Sequence, residues 1–542
     1  MLPAALSVVP LLAALCLPAD TAARAPAPVA HAELARTAYW IGFTDKPMPR
    51  EARGAKGAPK HIAPEDTPLT ERALERRRRM RQAPGLVDAR DLPVDPARVA
   101  AVRASGADYR TESRWLNGVS VDATAEELRR ILRLPFVREA WPLRASRGDR
   151  LDAQPLGGDG GVAGTGYGFT AAQLLQIDVP SMHARGLRGE GMVIGVLDTG
   201  FHRGHAAFQS AEHPLQVLAE WDFIDQDAST GIDADDPAGQ HDHGTWILGT
   251  LAAYRPGEAI GAAYAAQFVL AKTEVVASET VVEEDYYVAG LEFIEAQGAD
   301  IATSSLGYID WYTPAQLDGL TAITTRAVNI ATQNGLVCVT AAGNSGNDAN
   351  PATQRLIAPA DAFDVITCGA VNVNGTTAGF SSDGPTADGR LKPEVMACGV
   401  AVATVHSTNA SGYQAVSGTS LSTPLVAGAA ALVLQARRDH TVASLRTALF
   451  STAGDFMENA MPDPLFVRGY GVISAFDAAR QNRAAEDVNL DGAVDARDIA
   501  ALLSSWGPCA DPDPATGVCA CDFNGDGAVD AADLAALLSH WG

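Results

Sequence analysis

The sequence predicts an α/β fold, a parallel sheet with helices on both of its faces. Two observations lead there. Between residues 167 and 483, short, largely apolar runs (193–197, 268–271, 301–306, 336–341 and 365–371) alternate with helical stretches. A strand apolar on both sides is covered on both sides, as in parallel sheets built from strand–helix–strand units. The residues with chemical potential also stand in loops past such runs, where open α/β sheets build their sites.

The 542 residues are expected to divide into about three or four units. Residues 1–23 read as a signal peptide, with an apolar run at 2–17 and small residues at Thr21-Ala22-Ala23. The run is short for a membrane span, and no Lys or Arg precedes it. Cys16 follows Leu15 rather than a small residue, which argues against lipid modification. No later stretch is expected to span a membrane. After a Pro/Ala-rich spacer, the unit 24–142 has a small α+β pattern. It holds strands at 39–43, 117–121 and 137–141 and a basic helix at 70–82 capped by Thr70. A second helix opens with the capping box Thr124 to Glu127. Residues 143–166 turn to Arg, Asp and Gly and read as a flexible linker. No strand precedes its glycines and no Lys follows, so a phosphate loop is excluded. The large unit is 167–483 and an Asp-rich tail is 485–542.

The net charge of −24 argues against nucleic acid and anionic membranes as main partners. The charge is uneven, since 71–81 (ERALERRRRMR) is strongly basic. Six cysteines follow the signal peptide, and export permits disulfides. Cys338 and Cys368 are either a bridged pair or small core residues. Cys509 is expected to pair with Cys519 or Cys521.

Ser420 stands in GTSLSTP, directly before the apolar run LVAGAAALVL. Gly418 would allow a tight turn there. Alone, the pattern fits a helix cap at least as well as a nucleophile. Two upstream motifs reverse that balance. Asp198 ends the apolar run in VLDTG, and His243-Gly244-Thr245 opens the helical stretch WILGTLAA. Asp, His, Ser is one of the known chain orders of a serine triad. In such a triad His243 takes the Ser420 proton and returns it to the leaving amine, while Asp198 holds the imidazole tautomer. In AAGNSG, the Asn344 amide could serve the oxyanion beside the Ser420 backbone N–H.

These four motifs resemble those of the subtilisin-like serine peptidases, the subtilases, over about residues 167–480. The resemblance implies a seven-stranded parallel sheet and an endopeptidase reaction through an acyl-enzyme. It also implies that Ser305, Leu306 and Gly307 pair with the substrate backbone and line the specificity pocket. Ser422 stands where the family usually has Ala, and Leu425 where it often has His. Residues 115–121 (WLNGVSV) and 134–138 (LPFVR) resemble a subtilase propeptide. This implies a folding chaperone and inhibitor removed by a cut within 143–166.

Three further side-chain clusters stand beside the triad motifs. His241-Asp242-His243 lacks a second ligand set at zinc spacing. His202 and His205 are expected to be solvated loop residues. Glu283-Glu284-Asp285 is expected either to attract basic substrate side chains or to form a solvated acidic loop.

The tail repeats itself at an offset of 35, DVNLDGAVDARDIAALLSSWG against DFNGDGAVDAADLAALLSHWG. Asp487, Asn489, Asp491, Asp495 and Asp498 fall at calcium-loop positions 1, 3, 5, 9 and 12, with Gly492 at 6 and the Ala493 carbonyl at 7. Asp522, Asn524, Asp526, Ala528, Asp530 and Asp533 repeat the set around Gly527. One amphipathic helix follows each loop, at 499–506 and 534–541. The pair resembles a type I dockerin domain, which implies a cohesin-type partner. The Cys-bearing insertion 508–521 departs from a compact dockerin. At positions 10 and 11, Ala496-Arg497 differs from Ala531-Ala532, so the two copies are not expected to bind equivalently.

The expectation is therefore a secreted, self-processed serine endopeptidase, attached to the cell surface or free. Two Ca2+ ions would sit in the α-helical tail and none is needed for the chemistry. Its partners would be protein or peptide substrates, its own propeptide and a cohesin, with no membrane contact after signal removal. The rivals are a catalytically inert component, or a single-substrate maturation component, of a cohesin–dockerin assembly.

Overall fold

The computed structural model describes residues 36–46, 62–143, 153–156, 166–276, 283–308, 312–509 and 519–542. The expected signal peptide and most of the expected linker lie outside them. At the centre is a seven-stranded sheet in which every pairing is parallel. Its order is Val395–Cys398, Ile366–Val371, Val337–Ala341, Ile301–Ser304, Val193–Asp198, Gln267–Lys272 and Gln216–Asp222. The two strands that the apolar runs did not mark lie at the edges. Gln216–Asp222 is largely exposed or half-buried, and Val395–Cys398 has only four residues.

Alternation along one strand builds two cores. Ile194 and Val196 face the helices Asp242–Ala252 and Thr419–Ala436. Val193 and Leu197 face the helices Glu284–Gln297 and Ile323–Gln333. Thr419–Ala436 is long and apolar enough to cross a membrane, against the expectation that no stretch after the leader would be. It is 94% buried within the protein. A helix enclosed by sheet and helices has no polar face to show.

The N-terminal unit is a four-stranded antiparallel sheet ordered Asp108–Ser113, Gly118–Ala123, Thr37–Phe43, Val137–Pro142. Thr70 caps its basic helix, Glu71–Met80, by accepting from the Ala73 N–H at 3.2 Å. Thr124 and Glu127 form the expected capping box.

This unit docks on the helix Glu284–Gln297 through buried charge. Arg76 and Arg77 are both buried and both bind Glu295, with Arg77 Nε at 2.8 Å. Arg77 also binds Asp91 at 2.7 Å, and Arg72 binds Asp300 at 2.5 Å. Glu292 accepts from Ser113 Oγ and from the Trp115 N–H at 3.1 Å.

In the full chain the acidic run 283–285 is therefore not a solvated loop. Glu283, Glu284 and Asp285 are buried, and Asp285 is held by Arg110 at 2.8 Å and by Ser120. A sequence window does not show which basic surface will cover an acidic helix.

One further expectation changes. Ala153–Leu156, inside the expected linker, is a strand antiparallel to Tyr413–Val416, which in turn pairs with Val402–Val405. Cys338 and Cys368 are free, buried thiols, while Cys509 pairs with Cys519. In the tail, Ala496–Ser504 and Ala531–Ser539 share a small core of Val488, Val494, Leu502, Val529 and Leu537.

Burial opposes the charge of Glu295, but Arg76 and Arg77 overcome it and hold the carboxyl at about 2, below its ordinary 4.5. Its contribution to stability is complete above pH 4.5 and fades as pH falls through about 2. Glu295→Ala leaves two buried guanidiniums short of a partner, a loss of about 3–5 kcal/mol. Thermal unfolding of the full chain at neutral pH is expected to show a lowered transition in Glu295→Ala. The difference from wild type should shrink in strong acid.

Candidate active site

Asp198 is the last residue of an entirely buried strand. Its Oδ1 accepts from His243 Nδ1 at 2.7 Å and from the Thr199 N–H at 2.8 Å. His243 is the second residue of the helix Asp242–Ala252. The glycine after it is required by close approach. A Cβ on Gly244 would lie 2.2 Å from the Gly200 carbonyl oxygen and 3.2 Å from Asp198 Cβ. Burial disfavours charge on His243, but Asp198 outweighs it, with help from Glu274, and the imidazole pKa is raised.

Ser420 is the second residue of the helix Thr419–Ala436 and is buried. Its Oγ donates to the Ser305 carbonyl at 3.2 Å, and Ser305 Oγ donates to the Ser420 carbonyl at 2.7 Å. No hydrogen bond joins Ser420 Oγ to His243 among the described residues. Such bonds commonly tighten only when substrate binds. Gly418 is extended, φ 163°, and its carbonyl accepts from the Leu421 N–H at 3.0 Å, closing the turn that opens the helix. Asn344 Oδ1 accepts from Thr419 N and Oγ1, each at 2.9 Å. That fixes the amide and leaves its NH2 without a partner among the described residues. Leu306 and Gly307 are half-buried, and a Cβ on Gly307 would lie 2.1 Å from Ile357 Cδ1. The structure thus joins Asp198 to His243, Ser420 to Ser305, and Asn344 to the residue before Ser420.

In the tail, the first acid of each loop gathers backbone amides. Asp487 accepts from the N–H groups of Asp491 at 3.0 Å and Gly492 at 2.9 Å, and Asp522 from those of Gly525 at 2.8 Å and Gly527 at 2.9 Å. Asp498 and Asp533 close the loops on the N–H groups of Val488 and Phe523, at 2.8 and 2.7 Å. Asn489 and Asn524 each bind the acid two residues on, Asp491 and Asp526. Asp495 and Asp530 are also the N-caps of the two helices. Gly492 and Gly527 take φ of 99° and 89°, the left-handed turn that position 6 demands. Burial raises the Asp487 pKa, and Asp498 and Asp491 add repulsion that a cation would relieve. An all-oxygen donor set of this kind suits Ca2+.

Comparison with known proteins places these features. The subtilase family model matches residues 189–472, just over half of the chain. The chain belongs to the subtilase family. A model of the Bacteroidota peptidase S8 propeptide domain matches residues 38–153, and the type I dockerin model matches 485–540. Subtilisin E of Bacillus subtilis (strain 168) is 32% identical over 307 residues, covering 56% of this chain and 70% of that one. Subtilisin DY of Bacillus licheniformis is 31% identical over 304 residues, 56% of this chain and 96% of that one. Among solved structures, fervidolysin from Fervidobacterium pennivorans, a keratinolytic enzyme related to subtilisin, matches with a TM-score of 0.53 at 20% identity. The match covers 83% of this chain and 61% of that one, and it bears on the fold alone. This subtilase is a serine endopeptidase with a propeptide domain and a dockerin domain.

The subtilase site includes Glu274, which sequence reasoning missed. Glu274 stands two residues past Lys272, the sheet partner of Asp198. Tyr308 Oη donates to Glu274, and Glu283 accepts from the Val275 N–H at 2.9 Å. Burial raises the pKa of both glutamates, and Glu274 adds to the shift at Glu283. A carboxylate just beyond the run 268–271 was the available signal.

Of the two histidines expected to be solvated, one is buried and the other half-buried. His205 is fully buried, its Nε2 at 2.8 Å from the Gly412 carbonyl, and His202 Nδ1 is 2.6 Å from that of Ser407. Both rings serve to pin the loop after Asp198 to residues 407–412. His241 binds Asp236 at 3.1 Å and the Gly231 carbonyl at 2.9 Å.

His243 is expected to titrate above 6.5, and Asp198→Asn should bring it below, because burial then acts with little to oppose it. Histidine ring NMR across pH 4–9 reads both midpoints.

Proposed function

We propose that this subtilase is a secreted endopeptidase that matures itself and is held in place by a calcium-loaded tail. The observation that carries the chemistry is the 2.7 Å bond from His243 Nδ1 to buried Asp198. A donor on that side leaves Nε2 as the basic nitrogen, to take the Ser420 proton and return it to the leaving amine. The Asn344 NH2 and the Ser420 backbone N–H stabilise the oxyanion. Ser305 to Gly307 continue a sheet strand, and an extended substrate pairs with that segment.

Residues 1–23 are the signal peptide, 24–142 the propeptide, 167–483 the peptidase and 485–542 the dockerin. The maturation cut falls between Leu143, which donates to the Ala38 carbonyl at 2.8 Å, and the strand that begins at Ala153. Each tail loop holds one Ca2+ on the acids and asparagines named above, with the Ala493 and Ala528 carbonyls. The cohesin-type partner meets the exposed apolar pairs Leu503 with Trp506 and Leu538 with Trp541, which are 54, 48, 50 and 50% exposed. Arg497 binds Asp491 in the first copy, and Ala532 has no equivalent, so the two copies present different faces.

Ser420→Ala is expected to leave the propeptide attached in intact-mass analysis, while the mature wild type takes a fluorophosphonate on Ser420. Processing of the variant in a protease-free host would contradict self-cleavage. Calorimetric titration is expected to count two Ca2+ in the tail, with Asp487→Ala and Asp522→Ala each losing one.

A further inference from the structure

Asp222, Asp225 and Asp233 bring carboxylate oxygens within 4.8 Å of one another, the one such trio among the described residues. That spacing suits a hard divalent cation, whose oxygen ligands sit about 2.3–2.6 Å away. A protein cation reaches the cage instead. Lys272 Nζ lies 2.8 Å from Asp222, 3.4 Å from Asp225, 3.6 Å from Asp233 and 2.9 Å from a fourth carboxylate, Asp236. Lys272 is fully buried. An ammonium out of water needs such partners, and the carboxylates need it to offset their mutual repulsion.

A line of contacts runs from this ammonium to the active site. Asp236 binds Lys272 through Oδ1 and His241 Nε2 through Oδ2, the latter at 3.1 Å. The His241 carbonyl accepts from Thr245 N at 3.1 Å and Thr245 Oγ1 at 2.6 Å, in the first turn of the helix that carries His243. A Cβ on Gly200 would lie 2.7 Å from His241 Cδ2 and 3.4 Å from Lys272 Cδ, so both side chains pack on the turn after Asp198. The backbone closes the circuit, because Lys272 pairs with Asp198 in the sheet.

We propose that Lys272 is the resident cation of this cage, standing where a divalent metal would otherwise bind, and that it is a positioning residue for His243. The positioning role rests on His243 as the base of the proposed function, whereas occupancy of the cage does not. In full-length Lys272→Gln the cage keeps its carboxylates and loses its cation.

With EDTA, Lys272→Gln is expected to lose about 10–100-fold in kcat, the scale of a misplaced catalytic group, with KM within about twofold. Addition of about 1 mM Ca2+ should restore kcat, and the variant should carry one more Ca2+ per chain than wild type by equilibrium dialysis. Lys272→Arg keeps the charge and should keep kcat in EDTA. Asp225→Asn beside native Lys272 should leave the calcium count unchanged. Wild-type kcat for Lys272→Gln in EDTA overturns the positioning role. Failure of that variant to gain an ion, or loss of one ion in Asp225→Asn, overturns the cation assignment. If Lys272→Gln does not fold, the Asp225→Asn count decides alone. Failure of the fluorophosphonate to label wild type would strike the proposed function and leave the calcium counts standing.

Discussion

Asp198 is a carboxylate at the end of a strand with no exposed residue. A charge so placed needs donors, and they gather on its Oδ1, while its buried Oδ2 has no partner among the described residues. His243 donates to it, Thr199 folds back on it, and Gly244 and Gly200 give up side chains so that helix and strand can meet. The apolar strand fixes where the acid ends, and the helix then has one place to start. Rotating His243 away would leave the buried carboxylate short of a donor, which keeps the imidazole in one orientation.

The same rule, that buried charge must be paired, governs the join between the first two units. The peptidase helix Glu284–Gln297 carries Asp285, Glu292 and Glu295 on the face that the N-terminal unit covers. Arginines from the basic helix and from the strand Asp108–Ser113 meet them. A chain with net charge −24 thus concentrates positive charge where its own acidic helix needs it. Asp300 directly precedes the strand Ile301–Ser304, so Arg72 grips the sheet at its amino end, away from Asp198 at a carboxyl end. Among the described residues, the ion pairs named here hold the N-terminal unit on the peptidase without touching Asp198, His243 or Ser420.

Much of the architecture was readable because burial on two sides writes a largely apolar run. Five central strands announced themselves in that way, and the edge strand Gln216–Asp222 did not, since half-exposed positions accept polar residues. Local hydrogen bonds were also readable, as at Thr70 and in the box from Thr124 to Glu127. Contacts between distant segments were not. His205 looked like a loop histidine because its partner, Gly412, is more than two hundred residues away. Glu283 to Asp285 looked like solvent-facing acids because the arginine and serine that hold Asp285 belong to another unit.

The order Asp198, His243, Ser420, the duplicated acidic loops and the central strands are properties of the sequence by itself. Each depends on residue type and local spacing, which a linear chain carries in full. Tertiary structure alone decided which charges face one another. It gave Glu295 two arginines, gave Lys272 four carboxylates, and turned Asn344 so that its oxygen is spent on Thr419. Those pairings join segments far apart in the chain. In a low-dielectric interior the cost of an unpaired charge, rather than any local preference, selects them.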